Sequence, residues 1–96
     1  MYGLIGRMRA APGRRDDLVA ILLGAAGEMP GCLNYIVATD PNDLDAVWVT
    51  EVWTDKASHS ASLQMPDVRA AIAKAMPIIA GFESQTETIP LGGLGL

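Results

Sequence analysis

The chain reads as strand, helix, strand, strand, a pair of helices and a last strand. This order predicts an α+β, ferredoxin-like split βαβ protomer, with one antiparallel sheet and its helices on one face. Three observations carry the prediction. Period-two runs near residues 2–10, 32–40 and 45–53 suit strands. Stripes of helical period within 14–29 and 68–79 suit helices, and Pro-Gly, Pro-Asn and Pro-Asp pairs stand between the segments. Half of the 96 residues are hydrophobic, while a chain this short buries only about 60–65 % of its unfolded surface. That surplus predicts a partner surface, most simply a homodimer whose two sheets pack face to face and close an α/β barrel.

Each element has its own signal. Tyr2 to Ala10 sets Leu4, Gly6 and Met8 against Ile5, Arg7 and Arg9, as a strand with one largely apolar face does. Pro12-Gly13 is a turn, and Asp16 and Asp17 favour a helix start through the macrodipole. Leu18, Ile21, Leu22, Ala25 and Met29 keep helical spacing, which predicts the first helix over 14–29. Gly24 and Gly27 inside it each cost up to about 1 kcal/mol relative to Ala, and suggest close approach to a sheet or a ligand. Pro30-Gly31 ends the helix.

Cys32 to Asp40 is the second strand, with Tyr35 and Val37 on one face and Asn34 and Ile36 on the other. At most one of Asn34 and Tyr35 therefore faces a given pocket. After the Pro41-Asn42-Asp43 turn, residues 45–53 form its hairpin partner. There Trp48, Thr50 and Val52 oppose Val47, Val49, Glu51 and Trp53. Both faces carry bulk. One is expected to meet the helices and the other, with Trp48, a second subunit. Asp55 opens a short helix over 55–64, and Pro66-Asp67 starts another, with the proline tolerated in its first turn. Val68, Ala71, Ile72, Ala75, Met76 and Ile79 form an apolar stripe, and Pro77 kinks or ends the helix. Phe82 to Ile89 is the fourth strand. Residues 1–90 are expected to form a single domain. Residues 91–96, rich in glycine, form a flexible tail able to dock on a neighbour.

Composition excludes several functions. The net charge is −4 and no basic cluster exists, because Asp16 and Asp17 follow Arg14 and Arg15 at once; nucleic-acid binding is disfavoured. No apolar stretch approaches the ~20 residues that span a bilayer, and Arg7 and Arg9 interrupt the one apolar run that could resemble a signal peptide. The lone Cys32 fits a reducing cytoplasm and reads as a small buried hydrophobe. One His and one Cys cannot supply the usual metal ligand sets. The tail glycines precede no helix, so no dinucleotide loop forms. No cofactor is expected.

The groups able to do chemistry gather between Val47 and His59. Glu51 and Trp53, two apart in a strand, share a face, and the only histidine follows in the next helix. A histidine side chain ordinarily titrates near neutrality, so His59 suits a general base, all the more beside a carboxylate such as Asp55 or Glu51. Its alternative is a polar helix residue at the pocket mouth. Trp53 can stack on a flat ring and offer its indole N–H to an oxygen, or simply pack in the core; pocket lining is favoured. Glu51, once buried, can act as acid or base, or as a structural partner for a backbone amide or for Arg7; the structural role is favoured. Asp55, His59 and Ser62 share one helical face, but without an oxyanion hole or a nucleophile turn they read as a solvated stripe. Met8, Met65, Met76 and Phe82 are candidates for an apolar wall.

Pro12-Gly13, Pro30-Gly31-Cys32-Leu33 with Tyr35, Asp40 before its turn, and Glu51-Val52-Trp53-Thr54-Asp55 together resemble the antibiotic biosynthesis monooxygenase family over residues 3 to 90. The resemblance implies a ferredoxin-like protomer in a dimeric barrel. It implies oxidation of anthrones or quinols by O2 without metal, flavin or haem, the substrate itself reducing oxygen. The family also holds members of unproven activity, an isomerase of a signalling sugar phosphate, and haem-degrading enzymes. Its pocket tryptophan matches Trp53, and a tyrosine six residues beyond matches His59. Its asparagine four residues before falls at Val49, which cannot hydrogen-bond a substrate. A basic residue on the later helix has Arg69 as its nearest match. A histidine common nine residues beyond the tryptophan falls at Ser62. Arg7 and Leu63 stand near the asparagine and axial histidine of the haem-degrading branch, so haem is disfavoured.

The resulting expectation is a cytoplasmic, homodimeric, cofactor-independent monooxygenase of small aromatic quinols, phenols or anthrones. Trp53 orients the ring and His59 removes a proton, while Glu51, Asn34, Arg69, Met65, Met76 and Phe82 surround the substrate. Two rivals remain. One is a non-catalytic small-molecule-binding or stress-related barrel. The other is an isomerase of a small polar metabolite, which needs several convergent polar groups.

Overall fold

Seven elements follow in the expected order: β1 (Tyr2–Ala10), α1 (Arg15–Ala25), β2 (Cys32–Thr39), β3 (Ala46–Trp53), α2 (Lys56–Ser62), α3 (Pro66–Ala75) and β4 (Ile79–Thr88). The computed structural model describes residues 1–96. The strands form one antiparallel sheet in the order β2-β3-β1-β4. This is the α+β, ferredoxin-like arrangement that the sequence predicts. No helix is long and apolar enough to cross a membrane.

The register sorts the side chains. Leu4, Gly6 and Met8 lie opposite Glu51, Val49 and Val47, and Tyr35 and Val37 lie opposite Glu51 and Val49. All share the face that the helices cover. There Leu18 of α1 and Ala75 of α3 meet Ala10, Val47, Val49 and Ile78 in a buried cluster of six. That cluster closes one end of the space between sheet and helices and leaves the Glu51–Trp53 end less filled.

The other face of the sheet carries no helix. Ile5 and Ile36 are exposed there at 37% and 52%, beside Val52, Thr50 and Trp48. Charge pins its far end. The Arg7 guanidinium reaches Asp43 at 3.1 Å and Glu83 at 2.7 Å, and Arg9 reaches Asp43 at 2.6 Å. These contacts tie the β2–β3 turn to β1, and they hold the Asp43 carboxyl well below the usual carboxylate range. Trp48 donates its indole N–H to Asp40 at 3.0 Å, under the Arg7 guanidinium.

Several boundaries differ from the sequence reading. Helix α1 stops at Ala25, four residues early, because the Ala26 amide turns back to the Leu23 carbonyl and Gly27 and Pro30 follow. Gly24 makes no close approach, since a Cβ added there meets nothing within 4 Å. Strand β4 begins at Ile79 rather than Phe82. Pro77 ends α3, and Ala10 pairs with Ile79 before a bulge. Cys32 is half-buried rather than enclosed. Gly31 has a use that its turn alone does not reveal. Its φ is +83°, and a Cβ there would sit 2.6 Å from the Ser58 side chain, so only glycine lets the β2 entry touch α2.

Candidate active-site cavity

A cavity of about 300 Å³ lies between the sheet and the helices. Sixteen of its twenty lining residues are hydrophobic, and the polar ones are Glu51, His59, Ser62 and Gln85. Strand β3 supplies Glu51 and Trp53, two apart on the helix-facing side, as their spacing requires. Helix α2 supplies His59. Its start is fixed by Asp55, whose carboxylate accepts the Ser58 amide at 2.7 Å. The clamp is doubled by the Thr54 amide, which donates to the Gly31 carbonyl at 2.9 Å.

These residues touch one another in a defined way. Trp53 is 1% exposed, and its indole N–H donates to Glu51 Oε1 at 3.1 Å. The same oxygen lies 3.9 Å from His59 Nε2. The His59 ring stands edge-on to Trp53, with centroids 5.4 Å apart, and leans against Tyr2 at 5.5 Å. Burial pushes the Glu51 carboxyl above its ordinary value, while the Trp53 N–H and the His59 charge pull the other way. Tyr35, opposite Glu51 on β2, has its phenol pushed up to about 12, first by burial and then by the Glu51 charge. It is a neutral donor at physiological pH.

The candidates from the sequence divide. His59, Trp53, Glu51, Met8, Met76 and Phe82 meet around this cavity. Arg7 is no partner for Glu51, because it lies on the opposite face. Asn34 also turns away: β2 alternation puts Tyr35, not Asn34, beside Glu51. Arg69 is exposed on α3 and does not line the cavity, since Val68, Ala71, Ile72 and Ala75 form the inward stripe. Met65 precedes α3 and lines a separate groove between α1 and α3. Asp55 and Ser62 are committed elsewhere; the Ser62 hydroxyl donates to the His59 carbonyl at 2.6 Å. Val49 is packed into the core. Sequence reasoning missed Tyr2, Leu4 and Gln85. Their strands alternate correctly, but only the pairing register brings Leu4 beside Glu51 and Tyr2 beside Trp53. No group of three His, Cys, Asp or Glu side chains is placed to hold a metal ion.

A family model described as antibiotic biosynthesis monooxygenase matches residues 1–74. The chain belongs to the antibiotic biosynthesis monooxygenase family. A protein from Chloroflexus aurantiacus J-10-fl, provisionally assigned as an antibiotic biosynthesis monooxygenase, is 58% identical and superposes with a TM-score of 0.94, over 96% of this chain and 94% of that one. A Deinococcus radiodurans protein with the same provisional assignment is 21% identical, with a TM-score of 0.80 over 98% and 96% of the two chains. The PA3566 protein of Pseudomonas aeruginosa is 20% identical, with a TM-score of 0.83 over 95% and 94%. These last two speak for the fold alone. No curated protein matches the chain closely enough to carry an argument. Within the family frame, the cavity has a polar end built by Glu51, Trp53, His59 and Tyr35, and apolar walls from both layers of the fold.

Proposed function

We propose that this family member is a homodimeric monooxygenase that oxidises small aromatic quinols, phenols or anthrones with O2. The observation that carries the reading is the polarity of the cavity. A largely apolar space ends in one histidine–carboxylate pair and one neutral phenol. An aromatic ring fits such walls, and its hydroxyl or activated C–H fits the His59 end.

The chemistry follows from those groups. His59, in its neutral form, accepts the proton as the substrate's O–H or C–H bond breaks, and the electron pair stays on the ring system. The resulting anion is rich enough in electrons to reduce O2. For an anthrone, the methylene becomes a carbonyl. One oxygen atom enters the product and the other leaves as water, so the substrate supplies all four electrons. The aromatic walls, Trp53 among them, hold the ring and keep bulk water from the anion. The bare sheet face, with Ile5 and Ile36 exposed, supports pairing with a second copy.

The isomerase rival is less well supported. Of the four polar lining residues, Ser62 is bonded to its own helix and Glu51 to Trp53, which leaves few donors for a polar metabolite. Enzyme-dependent oxygen uptake across a panel of hydroquinones, naphthols and anthrones is the test. Uptake with at least one class is expected. Saturable binding without uptake would favour the non-catalytic binder instead.

A further inference from the structure

Both indole N–H groups of this chain are already taken. Trp48 donates a hydrogen bond to Asp40 on the bare face of the sheet, and Trp53 donates one to Glu51 inside the cavity. The expected use of the Trp53 N–H, a hydrogen bond to a substrate oxygen, is therefore blocked. The fold spends it on a carboxylate that stands in a mostly apolar cavity. Burying a carboxylate is costly without a partner, and the groups that face Glu51 are few. They are Tyr35 and Cys32 from β2, Tyr2 and Leu4 from β1, Gln85 from β4, Trp53 beside it and His59 from α2. Helices α1 and α3 present only apolar side chains to the cavity. Lys56 is turned outward over the Tyr2 ring, toward Glu87. His59 is thus the one cavity residue able to become a cation, and its Nε2 is 3.9 Å from the oxygen that Trp53 fixes.

We propose that Trp53 and Glu51 are a positioning pair: the indole N–H fixes the carboxylate, and the carboxylate orients His59 and balances the charge that the ring gains when it takes the substrate's proton. The inference rests on the reading of His59 as proton acceptor. It explains why an acidic residue sits in a strand that otherwise supplies core. It also explains why the tryptophan two residues on is buried with its ring edge-on to the histidine. In the proton transfer, the substrate's O–H or C–H bond breaks, an N–H bond forms on the imidazole, and the electron pair remains on the substrate. Glu51 keeps its proton state and supplies an opposite charge within a few ångströms, the strongest local aid to a cation in a water-poor site.

The two tryptophans make the pairing visible without any turnover. Each indole N–H gives its own signal in a 15N–1H correlation spectrum, and each is bonded to one titrating carboxylate. On acidification the Trp53 signal should move as Glu51 protonates, above the ordinary glutamate range. The Trp48 signal should move as Asp40 protonates, below the ordinary aspartate range. Glu51→Gln, which keeps the shape and an acceptor oxygen, should abolish the Trp53 step and leave the Trp48 step in place. In His59→Ala the Trp53 step should move to higher pH, because a charge that favours the carboxylate has gone. With an oxidisable substrate, Glu51→Gln should lower kcat by roughly tenfold or more with KM little changed, a tenfold loss being what one unit of differential stabilisation of the charged ring amounts to. A Trp53 signal that ignores pH across the acidic range, or the same step in Glu51→Gln, would overturn the pairing whatever the turnover. A normal kcat in Glu51→Gln would overturn its service to His59. Intact steps without any oxygen uptake would instead remove the functional reading, and with it the proton transfer that this pair is proposed to serve.

Discussion

Three glycines that look alike in sequence are expected to respond to alanine in three different ways. Gly31→Ala is the severe change. Its φ of +83° lies in the left-handed region, which costs a residue bearing a Cβ roughly 1–2 kcal/mol. The new Cβ would stand 2.6 Å from the Ser58 side chain and 2.9 Å from Thr54 Oγ1. Ordinary contact begins at 3.4 Å, so Ser58 must retreat by about 0.8 Å. Overpacking of that kind costs about 1–3 kcal/mol. The sum, about 2–5 kcal/mol, corresponds to a fall in Tm of at least about 8 °C for a chain of this size. Gly13→Ala is the control. Its φ is +75° but nothing lies within 4 Å of the added Cβ, so only the backbone term of roughly 1–2 kcal/mol remains. Gly24→Ala stabilises, by about 0.5–1 kcal/mol, because it removes a flexible residue from helix α1 and meets open space. Thermal melts of the three variants decide the matter. Equal losses for Gly31→Ala and Gly13→Ala would refute the claim that the turn is wedged against α2. A destabilised Gly24→Ala would restore the close approach that the sequence suggested.

Two further outcomes concern the surface and the titrating groups. Light scattering coupled to size exclusion should give about twice the 10.1 kDa chain mass, and Ile36→Glu on the bare sheet face should give the monomer; a monomeric parent would remove the barrel. Stability should respond to pH with opposite signs at two places. Asp43 and Asp40 have lowered folded-state pKa values, set chiefly by the Arg9 hydrogen bond and by the Trp48 indole, so their contribution is full above the ordinary aspartate range and is lost as pH falls. Glu51 is raised by burial, so the folded state loses stability as pH climbs from 4.5 through its folded value. Glu51→Gln should therefore gain on the parent in Tm at neutral pH and lose that gain in acid, and urea unfolding at both pH values checks it.

The sequence was most legible where a pattern repeats. Alternation along β1 and β3, and along β2 from Asn34 onward, separates the two faces of the sheet, because a period of two leaves no other choice; the irregularity between Cys32 and Asn34, which brings Cys32 opposite Trp53, is not in that pattern. Asp55 as a cap and Pro77 as a stop are equally local. Residues whose neighbours come from distant elements were not legible. The sequence puts Trp53 in the pocket wall, but nothing in its spacing says that its N–H ends on Glu51, since both side chains must first choose rotamers in a packed layer. The sequence favours a structural role for Glu51, with a backbone amide or Arg7 as its partner. The strand face separates the two and gives Arg7 to Asp43 and Glu83 instead. Gly24 and Gly31 show the same limit. The helix glycine that suggested a close approach has none, and the turn glycine that looked routine is the one held against another element. Arg69 is a candidate only through the family resemblance, and alternation leaves open which of Asn34 and Tyr35 faces the pocket; one step along the helix or the strand gives the cavity to Val68 and Tyr35 instead.

The central claim is that His59 takes a proton from an aromatic substrate, which then reduces O2. The most direct test is enzyme-dependent oxygen uptake by the parent and by His59→Ala, on the best substrate of the quinol, naphthol and anthrone panel and over a range of pH. The account predicts uptake by the parent that falls as acid protonates the imidazole, and a loss of about 10²–10⁴-fold in His59→Ala. Parent-like uptake in His59→Ala would contradict it.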